Sequence, residues 1–114
     1  MFFAKRRWAL RVIEEMGLST TSPEGTELAD MIIAGAKQHA QMVRTTGVRV
    51  TDPELVLMSV AVMSENLTAL NRLTQDLGLS QSRASDLLRH AHQAGRRLAD
   101  QNGYASIVGR LYDR

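Results

Sequence analysis

The apolar residues of this chain recur at intervals of three and four, with no sustained alternation of two, and Pro occurs only twice in 114 residues. That period buries one stripe of a helix and cannot bury one face of a sheet, so the expected fold is all-α, in four to five helices. The first helix runs from about Phe2 to Met16, turning Phe3, Trp8, Val12, Ile13 and Met16 to one side, and Gly17 ends it in a left-handed conformation. A loop from Leu18 to Gly25 follows. Ser22 or Thr26 then caps a second helix that reaches about Arg44 and lines up Leu28, Met31, Ile32, Gly35, His39 and Met42. Thr45, Thr46 and Gly47 stop it, and Val48 to Val50 form a connector too short to be a sheet unless a second copy pairs with it.

Thr51 with Glu54 matches a capping box, and Asp52 with Pro53 offers an alternative start at the same place. From there to Leu77 no Pro or Gly intervenes, and Val56, Val60, Met63, Leu67, Leu70 and Leu77 keep the helical spacing, broken by Thr74. The expectation is one unbroken helix of 25 residues, about 37 Å long at 1.5 Å per residue. A rod of that length exceeds the needs of one small domain, so the predicted architecture is a single domain over residues 1–114 with a long central antiparallel hairpin that dimerises. Gly78 ends the rod, Ser80 caps a helix carrying Ala84, Leu87, Leu88, Ala91 and Leu98, and Asn102 with Gly103 closes it. Tyr104, Ile107, Val108 and Leu111 make a short last helix, which must fold back onto the body to be stable.

Composition narrows the function classes. Zero cysteines remove disulfides, thiolate catalysis and thiolate metal sites together and agree with a cytoplasmic location. The longest apolar run, Leu55 to Met63, falls well short of a membrane span, which needs roughly 20 apolar residues. The basic residues Lys5, Arg6, Arg7 and Arg11 make the first helix amphipathic and cationic, yet net charge is only +2. His90 and His92 are two apart and cannot share a helix face, whereas Asp86 and His90 are four apart and can meet. Two ligands without a third do not make a metal site. No Ser sits in a nucleophile pattern, and His39 has no acid or nucleophile fixed beside it, so no catalytic, cofactor or metal residues are expected.

The segment LTQDLGLSQSRASDLLRHA, Leu73 to Ala91, has the spacing of a helix-turn-helix, with Leu73, Leu77, Leu79 and Leu87 between the helices, Gly78 at the turn and Ala84 at the close approach. A reading head would put Ser80, Gln81, Ser82, Arg83 and Arg89 toward DNA. Asp86 stands in the middle of that face, Thr74 replaces the usual small residue, and a 25-residue rod is long for the first helix of such a motif. The preferred reading is therefore the turn of a packed helical hairpin, with DNA binding as the alternative. Six methionines and five aromatic residues suit an adaptable contact surface. On that reading Leu55, Met58, Val62, Met63, Leu67 and Leu70 carry dimer or partner contact.

The stretches TELADMIIAGAKQHAQMVR and PELVLMSVAVMSENLTALNRLTQDLG resemble the paired helices of small quorum-sensing antiactivators, the TraM type and the LasR antiactivator QslA type, most closely over Glu65 to Gly78. The resemblance covers about half the chain. It implies a dimeric, non-enzymatic protein that binds a LuxR-type transcriptional activator and keeps it off DNA. The region from Thr51 to Leu70 also resembles the dimerisation helix of the ZapA family, without that family's N-terminal hairpin.

Overall fold

The computed structural model describes residues 3–112, with Ala105 described by its backbone alone. Among them are six helices and no strand: α1 (Ala4–Glu15), α2 (Pro23–Arg44), α3 (Asp52–Met63), α4 (Leu67–Asp76), α5 (Gln81–Gln101) and the short α6 (Ala105–Ile107), which runs on into a π-helical turn, Val108–Tyr112. The all-α expectation holds. The proposed start at Phe2 lies outside the described residues.

The capping chemistry explains most of the boundaries. Ser22 rather than Thr26 caps α2, its Oγ accepting from the Gly25 N–H at 3.0 Å while donating to the Ser19 carbonyl at 2.8 Å. Thr51 opens α3 with a full capping box: Thr51 Oγ1 accepts from the Glu54 N–H at 3.4 Å, and Glu54 Oε1 accepts from the Thr51 N–H at 3.1 Å. Ser80 Oγ accepts from the Arg83 N–H at 3.1 Å and starts α5. The connector Val48 to Val50 forms no strand.

The 25-residue rod does not form. Residues 64–66 divide it into α3, of 12 residues, and α4, of 10. Ser64 ends α3 by donating to the Ala61 carbonyl at 3.3 Å, and Asn66, in an extended conformation, caps α4 by accepting from the Thr68 N–H at 2.8 Å. Ser and Asn offer the backbone such local alternatives to continued helix, and the run Ser64, Glu65, Asn66 places them together. The arm that packs on α2 is thus about 18 Å long rather than 37 Å.

One apolar core joins the five long helices. Val12 and Ile13 of α1, Leu28 and Ile32 of α2, Val56, Leu57 and Val60 of α3, Leu73 of α4 and Leu87 of α5 are completely or almost completely buried in it. α2 makes its most extensive contact with α3, where the buried Ser59 donates to the Ile32 carbonyl at 2.9 Å. The C-terminal turn folds back onto α5 and α3, burying Ile107, Val108 and Tyr112, as expected of a helix too short to stand alone.

Candidate functional site

The break at residues 64–66 changes the meaning of the segment that follows. α4 is now a separate helix, joined to α5 by the four residues Leu77 to Ser80, the length that joins the two helices of a DNA-reading motif. Gly78 holds φ at +65°, a left-handed value at which a side chain is strained. Leu73, Ala84 and Leu87 are buried between the elements, and Leu77 and Leu79 are half-buried at the turn. The side chains of Ser80, Gln81, Ser82, Arg83 and Arg89 are all exposed. Both parts of the motif pattern, an apolar inside and a polar outside, are present on the same two helices.

Charge on this face is sparse. Asp86 pairs with Arg89 at 2.9 Å rather than with His90, so it takes part of the cationic character of the outer surface. Arg83 makes no ion pair among the described residues. Arg72 of α4 is turned the other way, onto Glu27 of α2 and, at 3.7 Å, onto Asp76. The free cation of the face is therefore Arg83, with Arg89 available when it leaves Asp86.

The six residues expected to carry dimer or partner contact do not form one outer stripe. Leu55 and Met63 are buried in the core, Met58, Val62 and Leu70 are half-buried, and Leu67 alone is open, at 72% exposure. Five of the six are thus wholly or partly covered within the fold of one copy.

Two open clefts flank the break. The first, of about 370 Å³, lies between α4 and α5, with Leu67, Leu70 and Leu88 on its walls and Arg89 and His92 at its edge. His92 Nδ1 lies 3.1 Å from Ser64 Oγ, and its ring sits 4.8 Å from that of Tyr112. This pair ties the end of α3 to α5. The second cleft, of about 230 Å³, runs along α2 past His39, whose partial burial lowers its pKa below the ordinary histidine value. Among the described residues no three His, Asp or Glu side chains gather as a metal site would require, and no helix is long and apolar enough to cross a membrane.

The chain matches no protein-family model, no curated protein and no solved structure. Asp86, Thr74 and the length of an unbroken rod all count against the motif in sequence, and the helix break removes the last of these. The signal that would have found it is the polar triplet Ser64, Glu65, Asn66 directly ahead of the periodic run Leu67, Leu70, Leu73 and Leu77.

Proposed function

We propose that this protein is a non-enzymatic, cytoplasmic DNA-binding regulator in which the N-terminal half of α5 reads a major groove through Ser80, Gln81, Ser82, Arg83 and Arg89. The observation that carries this reading is the separation of α4 from α3: a 10-residue helix, a four-residue turn with a left-handed glycine, and a capped second helix with those five side chains exposed. Arg83 is suited to a bidentate contact with guanine, and Gln81 to one with adenine. The Ser80 hydroxyl still has its proton to give to a phosphate after its oxygen accepts from Arg83.

Titrating the protein against labelled genomic fragments over a range of salt tests this reading. Affinity that falls steeply with salt is expected, and Arg83→Ala should cost about 1–3 kcal/mol at a preferred site and relax the preference there. No salt-dependent binding at micromolar protein would overturn it.

A second reading is favoured by one observation, the open Leu67 beside the half-buried Leu70 at the mouth of the larger cleft. Under it the protein dimerises or binds a LuxR-type activator through the part of the expected stripe that stays accessible, as the antiactivator resemblance implies. Co-purification of an activator that is lost with Leu67→Glu, from cells in which Arg83→Ala has no effect, would establish this reading in place of the first.

A further inference from the structure

Charge is distributed unevenly along the chain. Residues 31–51 contain Lys37, Arg44 and Arg49 and no Asp or Glu, while the remaining 93 residues hold 11 basic and 12 acidic side chains and are net −1. Residues 1–13 and 87–99 are likewise basic without an acid, so the C-terminal part of α2 with the connector after it is one of three such stretches. Such asymmetry marks a surface for an anionic partner.

The structure turns that stretch outward. Ala36 is the last buried residue of α2; Lys37, Gln38, Gln41, Met42 and Arg44 beyond it are exposed, as are Thr45 and Arg49. Lys37, Gln41 and Arg44 fall at positions i, i+4 and i+7, so they share one outer face, with the two cations about 10 Å apart along the axis. Lys37, Arg44 and Arg49 form no ion pair among the described residues, unlike Lys5, Arg72, Arg89 and Arg97. The nearest acids in the following sequence are both occupied, Asp52 with Lys5 at 2.9 Å and Glu54 in the cap with Thr51. A row of unpaired cations with amide and hydroxyl groups between them is the side-chain set that contacts nucleic-acid phosphates.

We propose that the outer face of α2 from Lys37 to Arg44, with Arg49 of the connector, is a phosphate-binding arm that holds a nucleic-acid backbone independently of sequence. The inference deepens the DNA-binding reading, for it supplies the counter-charge that the face around Asp86 lacks. Glu27, in the first turns of α2, is paired to Arg72 of α4, so the arm begins about 15 Å further along α2 from that contact.

The test titrates the full chain against a labelled random-sequence duplex, the genomic fragments and phosphatidylserine vesicles, at several salt concentrations. The proteins are wild type, the triple variant Lys37→Gln, Arg44→Gln, Arg49→Gln, and Arg83→Ala, each checked for unchanged helical content. The triple variant should lose affinity for every duplex alike, with a log–log salt slope shallower by about 2.7, near 0.9 for each phosphate contact. An unchanged slope in the triple variant, or preference for vesicles over duplex, overturns the arm. If the triple variant responds and Arg83→Ala changes nothing, the arm stands and the motif reading falls. The reverse result removes the arm and keeps the motif, and a wild type that binds no duplex removes both.

Discussion

The Tyr112 hydroxyl donates a 2.5 Å hydrogen bond to the main-chain carbonyl of Leu57, tying the last described residue of the chain to the middle of α3. The bond spans 55 positions of sequence, and the Tyr112 ring that makes it packs at a tilt against His92, with centroids 4.8 Å apart. Tyr112→Phe keeps the ring and removes the bond, so it should destabilise the fold by about 1 kcal/mol. Burial also pushes the Tyr112 pKa well above its ordinary value of 10.0. The unfolded chain therefore releases this proton first, and stability falls as pH rises beyond about 10 toward the higher folded value. Urea midpoints at pH 8 and pH 11 check both effects: the wild type should lose more stability between them than Tyr112→Phe.

Gly95 faces that same ring from α5. A Cβ built there would lie 2.9 Å from Val60 Cγ1 and 3.2 Å from Tyr112 Cζ, so α3 and the C-terminal turn leave no room for a methyl group. In an exposed helix Gly→Ala stabilises by about 1 kcal/mol. Here Gly95→Ala should instead destabilise by about 1–3 kcal/mol through overpacking. Thermal unfolding of the variant decides the sign.

What could be read from the sequence depended on how local the cause was. Ser22, Thr51 and Ser80 mark helix starts because each acts on an N–H three residues away, and all three caps form. The end of α3 depends partly on distance: Ser64 also meets His92, 28 positions on, and no spacing rule reaches that far. Periodicity crosses the break unaltered, since Met63 and Leu67 keep a four-residue interval while belonging to different helices. The stripe was therefore visible and its division was not. The segment Leu73 to Arg89 likewise becomes two short-linked helices, free of a long rod, only once that division is known.

Met63 and Leu67 separate the core from the surface within that stripe. Met63 is 5% exposed and Leu67 is 72% exposed. Met63→Glu buries a carboxylate without a partner and should unfold the protein or destabilise it by more than about 3 kcal/mol. Leu67→Glu should change stability by no more than about 0.5 kcal/mol. Circular dichroism melts of the two variants give the comparison; equal and small losses would mean that the stripe faces solvent along its whole length.

His39 gives the fold an acid-side sensitivity of opposite sign to that of Tyr112. It sits half-buried on α2 beside the smaller cleft, and desolvation lowers its pKa below 6.5. The unfolded chain, with the ordinary value, takes up a proton first as pH falls, so this contribution to stability is complete above about 6.5 and is lost as pH drops through the folded pKa. His39→Gln removes the titrating group while keeping a polar side chain of similar length. Carboxylates titrate in both proteins, so the informative quantity is the difference between them. Wild type should lose more stability than His39→Gln between pH 7.5 and pH 5.5 in chemical denaturation, and parallel losses would place the His39 ring in water rather than against α2.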